Sequence, residues 1–209
     1  MCIRDRVIGY TVTLVNLGPA VAQNVTLTDF ISAGELVLVT GPNGSGKTTL
    51  LRAIAGLTRP AAGTIGWSGA GDELAGSRAY LGHAAGWKDT LTVTENLRLA
   101  WQLDGEAAAD EDGAAPAALA DVGLGRQRNL AVARLSQGQK KRLHLARLTR
   151  STRPLWLLDE PAAALDDEGL SVLAALVAEH LEQGGTAAIA THQPLGIAVV
   201  RTQNLALTG

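Results

Sequence analysis

The chain has 209 residues, 46% of them apolar, which is enough for one α/β core and too little for a second full domain beside it. A formal net charge of -2 offers no basic field for nucleic acid, and the single cysteine, Cys2, excludes a disulfide framework or a cysteine-based zinc site. No run approaches the ~20 consecutive apolar residues of a bilayer-crossing helix and no charged-then-apolar leader opens the chain, so the expectation is a soluble, cytoplasmic protein.

Met1 to Arg6 lacks periodicity and reads like adapter sequence. Tyr10 to Leu14 and Val25 to Asp29 alternate polar and apolar residues around the turn signal Asn16-Leu17-Gly18-Pro19, which predicts a two-stranded hairpin. The same stretch resembles a repeat of bacterial surface β-sandwich proteins. Residues 1–30 are therefore set apart as an atypical β-hairpin segment that can be foreign to the rest, and 31–209 as the main domain. Glu35 to Thr40 is a short apolar run that predicts a strand. Thr48 to Leu57 predicts a helix ended by Arg59-Pro60, and Thr64 to Trp67 and Arg78 to Gly82 predict further strands. Leu103 to Pro116 carries Asp104, Glu106, Asp110, Glu111 and Asp112 among alanines and reads as a solvated loop or weak helix without chemistry. Leu155 to Leu158 predicts a buried strand. Leu165 to Gln183 predicts a helix with Leu173, Leu176, Val177 and Leu181 apolar and Gly184-Gly185 as its stop. Thr186 to Thr191 closes the series as a strand, and the alternation as a whole predicts an α/β domain.

Gly41, Pro42, Asn43, Gly44, Ser45, Gly46, Lys47 and Thr48 match G-x-x-x-x-G-K-[ST], between a predicted strand and a predicted helix, with Thr49 next in line. In such a loop the backbone N–H groups turn inward at the positive end of a helix and form an anion nest. Lys47 then reaches the β- and γ-phosphates of a nucleotide, and the Thr48 hydroxyl ligates Mg²⁺. The apolar run Leu155-Trp156-Leu157-Leu158 delivers Asp159 at its C-terminal end, where open α/β sheets place their ligands. Asp159 is the expected metal acid, and the adjacent Glu160 the expected base for an attacking water.

Leu135-Ser136-Gln137-Gly138-Gln139 precedes a helix through Arg142 to Arg147. Ser136 with Gln139 forms a capping box, which by itself accounts for both residues. Lys140, Lys141 and Arg142 then fall in the first turn, where the helix dipole disfavours each cation by ~0.3–1 kcal/mol, so a nearby anion would relieve a cost. A solvated face is the plainer reading of at least two of these three.

With these motifs in order, residues 31–209 resemble the ATP-binding subunits of ABC transporters. Leu135 to Gln139 is similar to their signature motif, whose usual third residue is Gly, not Gln137. Ala164-Leu165-Asp166 is similar to the D-loop and His192 to the switch histidine. The resemblance implies a P-loop NTPase (RecA-like) α/β core with an antiparallel β subdomain, which would flank the adenine, and a small helical subdomain. It further implies Mg²⁺-dependent ATP hydrolysis, with His192 orienting Glu160 and water. In a head-to-tail, ATP-dependent homodimer, Ser136, Gln137, Gly138, Gln139 and Asp166 of one copy would meet the nucleotide on the other. His83 stands where most members carry the glutamine that links the metal site to the membrane partner, so the resemblance implies that it joins the nucleotide site, with less reach than Gln.

Tyr80-Leu81-Gly82-His83, Lys88 before Leu91 to Leu97, Pro154 to Pro161 and Thr191 to Leu195 resemble, within that family, the ATP-binding subunits of the haem exporter of bacterial cytochrome c maturation. That implies integral membrane subunits as partners and a place on the cytoplasmic side of the inner membrane, with ATP turnover serving haem delivery. The alternatives are an ABC subunit for another substrate, such as a drug or lipid, and an ATP-dependent assembly module with little turnover. His83, His144, His180 and His192 are scattered, and no haem site is expected on the chain.

Overall fold

A computed structural model of the chain describes residues 7–14, 25–32, 34–59, 65–68, 78–83, 86–106, 112–198 and 201–207. They form two compact units, one of Met1–Gly82, Arg153–Glu160 and Val177–Gly209, the other of His83–Thr152 and Pro161–Leu176.

The first unit contains two sheets. Strands β1 (Val7–Leu14), β2 (Val25–Ser32) and β4 (Ile65–Ser68) make an antiparallel sheet in the order β2-β1-β4. The predicted hairpin is present as the β1–β2 pair, longer than the alternation indicated; its turn at Asn16 to Pro19 and the segment Met1 to Arg6 lie outside the described residues. The larger sheet is parallel throughout and runs β5-β6-β7-β3-β8, from β3 (Leu36–Thr40), β5 (Arg78–Leu81), β6 (Leu155–Asp159), β7 (Thr186–Ala190) and β8 (Thr202–Ala206).

Strands β6 and β7 are buried at every position, as strands covered on both faces must be, and this selects continuous apolar runs over alternation. Helix α1 (Lys47–Ile54) packs on β6 and β7 and places Leu50, Leu51 and Ile54 against Val37, Val39, Leu155, Leu157, Ala188 and Ala190. At roughly 25 cal/mol per Å² of apolar surface, each fully buried leucine here contributes about 2 kcal/mol. Small alanines on β7 let helix and sheet approach closely, which is how a core with few aromatic rings fills its space.

The second unit is helical: α2 (Val93–Asp104), α3 (Ala114–Asp121) and α4 (Gln137–Ala146) pack on one another. Trp101 is fully buried and its indole N–H donates to the Arg147 carbonyl at 3.1 Å. Asn96, also buried, satisfies Lys88 N and the carbonyls of Lys88, Leu91 and Thr92, fixing the turn that enters α2. Helix α5 (Asp167–Glu182) begins in this unit and ends in the first. The fold is thus an α/β P-loop NTPase arrangement with an antiparallel β part and a small helical part.

Candidate nucleotide-binding site

The site begins where β3 ends. The chain turns through residues 41–46 into α1 with Gly41, Gly44 and Gly46 at φ 144°, 84° and 94°. Side-chain-bearing residues rarely adopt such angles. At Gly41 the exclusion is also spatial, because a Cβ would run into the Leu207 carbonyl and lie 2.7 Å from Ser45 Oγ. Lys47 opens α1 and is buried, its ammonium donating to the carbonyls of Gly41 at 2.8 Å and Pro42 at 3.0 Å. The charge is thereby held over the loop 41–46.

Strand β6 supplies the acids. Asp159, only 3% exposed, accepts a hydrogen bond from Thr48 Oγ1 at 3.1 Å. Tyr80 on the neighbouring strand β5 lies close enough to feel the Asp159 charge. Burial first, and the Asp159 charge next, raise the Tyr80 pKa above its ordinary value, so this phenol stays a proton donor. The sequence offered no reason to place Tyr80 at the site; only the pairing of β5 with β6 does so.

Glu160 follows with φ 50°, a left-handed backbone that is unfavourable for a non-glycine residue by about 1 kcal/mol. The conformation is held by its N–H, which donates to the Ala190 carbonyl at 2.9 Å. From Ala190 the chain continues into Thr191, whose buried hydroxyl accepts from Gln193 N at 3.0 Å and so shapes the turn that carries His192. His192 Nε2 and Glu160 Oε1 stand 3.2 Å apart. A cleft of about 360 Å³ is lined by Asn43, Gly44, Gly46, Lys47, Thr48, Thr49, Glu160 and His192, a size suited to a small ligand. The glycine-rich loop, Lys47, Thr48, Glu160 and His192 therefore face one space.

The other expected residues belong to the second unit. Ser136 caps α4 through a complete capping box, Ser136 Oγ accepting from Gln139 N at 3.2 Å and Gln139 Oε1 from Ser136 N at 3.0 Å. Ser136 and Gln137 are exposed. A Cβ on Gly138 would lie 3.3 Å from the Ala164 carbonyl, so the start of α4 and the loop before α5 are in close approach. In that loop Ala164 sits at φ 63°, and Asp166 Oδ1 accepts from Gly169 N at 2.9 Å, capping α5. His83 is exposed and its carbonyl accepts from Lys141 Nζ at 3.4 Å.

Of the three cations Arg142 is the one not on a solvated face: it is buried with Nη1 2.9 Å from Glu168 Oε2. Lys140 reaches Asp89 at 3.6 Å. The unfavourable first-turn charges are thus met by carboxylates of neighbouring segments, a matching that sequence spacing could not show. His144 and His180 lie on α4 and α5, and both are buried.

The sequence pattern of the ABC transporter family matches residues 23–163. A cytochrome c biogenesis ATP-binding export protein CcmA from Nitrosospira multiformis is 44% identical over 183 residues, covering 85% of this chain and 88% of that one. The protein of the same name from Rhodopseudomonas palustris strain BisB18 is 53% identical over 169 residues, covering 80% and 82%. Among solved structures, a putative ABC transporter (ATP-binding protein) from Pyrococcus furiosus superposes with a TM-score of 0.76 at 25% identity, covering 95% of this chain and 96% of that one. Alongside the glycine-rich loop, Glu160 and His192 that line one cleft, these likenesses place the chain in the ABC transporter family, among its cytochrome c biogenesis ATP-binding export proteins.

Proposed function

We propose that this ABC ATPase hydrolyses Mg²⁺-bound ATP to power a membrane complex that delivers haem for cytochrome c biogenesis. The observation that carries the catalytic part is the Glu160–His192 pair, 3.2 Å apart at the rim of the phosphate cleft. The loop amides and Lys47 hold the β- and γ-phosphates, and electrostatic stabilisation of this kind supplies most of the catalysis in phosphoryl transfer. Glu160 accepts the proton of the attacking water while His192 fixes the carboxylate and reaches the γ-phosphate. The adjoining oxygens of Thr48 and Asp159 suit a hard cation, and no cluster of three or more His, Cys, Asp or Glu exists among the described residues to bind another metal. Mg²⁺ held there would neutralise phosphate charge.

In this reading Ser136, Gln137, Gly138, Gln139 and Asp166 meet the nucleotide held by a second copy, so that ATP joins two chains and hydrolysis parts them. Among the described residues no helix is long and apolar enough to cross a membrane. In this reading transport rests with separate membrane subunits, as the names of the relatives as export ATP-binding proteins support. The haem assignment follows the names of the relatives, and it sets the chain on the cytoplasmic face of the inner membrane, with His83 in the position that faces the partner subunits. Steady-state ATPase measurements test the catalytic part: Glu160→Gln should lower turnover by at least about a hundredfold while ATP-dependent dimers persist. Wild-type turnover no faster than that of the variant would favour an assembly module. Co-purification with haem-handling membrane proteins, as opposed to other permeases, tests the cargo.

A further inference from the structure

Arg142 lies one turn into α4, with only 9% of its side chain exposed, yet its two carboxylate neighbours are more than half exposed. Nη1 stands 2.9 Å from Glu168 Oε2, and Nη2 stands 3.9 Å from Asp166 Oδ2. Asp166 is at the same time bound through its other oxygen, Oδ1, which accepts from Gly169 N at 2.9 Å. One carboxylate therefore joins the guanidinium to the first turn of α5. The packing leaves little slack, since a Cβ added at Gly123 would come 2.7 Å from Arg142 Nη1 and 2.9 Å from Glu168 Oε1. Just upstream, Ala164 holds a left-handed φ of 63° and turns its carbonyl toward Gly138. A strained loop persists only where its surroundings over-determine it.

We propose that Arg142 is a positioning residue that locks the loop 161–166 and the first turn of α5 to the helix bearing Ser136 and Gly138, so that the two segments reach a partner's nucleotide as one rigid body. The guanidinium suits this task because it stays charged although buried and its extended, delocalised cation lies within ion-pair distance of both carboxylates, even though Nη1 and Nε make no hydrogen bond, whereas a lysine ammonium concentrates its charge at one point. The gap to Asp166 exceeds a hydrogen bond but falls within ion-pair range, so a small shift of the loop tightens the clamp. Every residue of this cluster lies in the helical unit, whereas Lys47, Thr48, Asp159, Glu160 and His192 lie in the other, so loss of the clamp leaves the phosphate cleft of the same chain intact.

The proposal rests on the dimer reading for its catalytic effect but not for its structural one, and two measurements separate them. Hydrogen exchange on the monomer reads the clamp directly: Arg142→Gln and Glu168→Gln should each speed exchange at Gly169 N roughly tenfold or more, with Arg142→Lys between them and wild type. Unchanged exchange in both variants overturns the proposal whatever the oligomeric state. Turnover is the second readout, with a kcat lowered roughly ten- to a hundredfold and monomer ATP affinity held within about twofold. Affinity falling in parallel with kcat would mark a general folding defect and would equally overturn it. Glu168→Gln guards against misfolding of the Arg142 variants, because it changes an exposed group. In a Glu160→Gln background, dimers that weaken on Arg142→Gln support the proposal; absence of dimers in Glu160→Gln alone refutes the dimer reading and leaves the exchange result to decide the clamp.

Discussion

His180 shows how one buried residue ties the stability of the sheet to pH. Its ring stacks on Trp156 with centroids 3.9 Å apart and planes 6° from parallel, and Nε2–H donates to the Thr186 carbonyl at 3.1 Å. Gly185 is glycine because any Cβ there would run into this ring. Burial pushes the His180 pKa from 6.5 down to about 4, partly offset by the carbonyls of Thr186 and Pro154. The unfolded chain thus binds the extra proton between these values, so stability is complete above about pH 6.5 and falls as pH drops toward 4. A shift of this size corresponds to roughly 3 kcal/mol. His144, lowered to about 3 by burial first and by Arg147 and Lys141 next, slopes the same way. Urea unfolding at pH 7 and pH 4.5 should show the fall, and His180→Phe should remove a large part of it. An undiminished fall in the variant would assign it elsewhere. Sequence reading placed both histidines on helices, but their burial depends on which strands and helices close over them, and spacing along the chain carries no such information.

Two helices of the second unit start with the same device, and the pair separates folding from function. Thr92 caps α2, with Thr92 Oγ1 accepting from Glu95 N at 3.2 Å and Glu95 Oε2 accepting from Thr92 N at 2.8 Å. These hydrogen bonds hold the exposed Glu95 carboxyl below its ordinary pKa. Ser136 caps α4 in the same manner. Thr92→Ala and Ser136→Ala should each lower stability by about 1 kcal/mol in thermal unfolding. Turnover should be kept in the first and lost in the second, since only Ser136 is assigned to the nucleotide; equal turnover would reduce Ser136 to its capping role. Both boxes are legible as S/T-x-x-E/Q, yet only the one at Ser136 predicts a helix, because Leu91 to Leu97 enters the sequence analysis through its likeness to a family and not through its periodicity. Strand β6 was plain from four large apolar residues before an acid. Strand β8 was missed because Thr202 to Ala206 is an edge strand with exposed and half-exposed positions alternating. Helix α3 starts at the end of the alanine-rich stretch that reads as a solvated loop or weak helix; Pro116 is tolerated there because it falls in the first turn, where no N–H is needed.

At the scale of the molecule, the sheet order decides what nucleotide binding can stabilise. The phosphate loop leaves β3, the acids leave β6, and His192 leaves β7, which lies between them. A ligand touching all three ties the sheet together at its C-terminal edge. ATP at a hundred times its Kd should therefore stabilise the protein by about 2.7 kcal/mol, read as a higher melting temperature. Lys47→Ala should abolish that rise with little change in the nucleotide-free melting temperature, and a full rise in the variant would contradict the phosphate site. The position of β3 has a further consequence for synthesis on the ribosome. It is flanked by β7 and β8, and Gly41 packs on the Leu207 carbonyl, so residues made early depend on residues made late. A nascent chain carries its phosphate loop long before that loop has a frame, and the capacity to hold ATP matures only once β8 has emerged and docked.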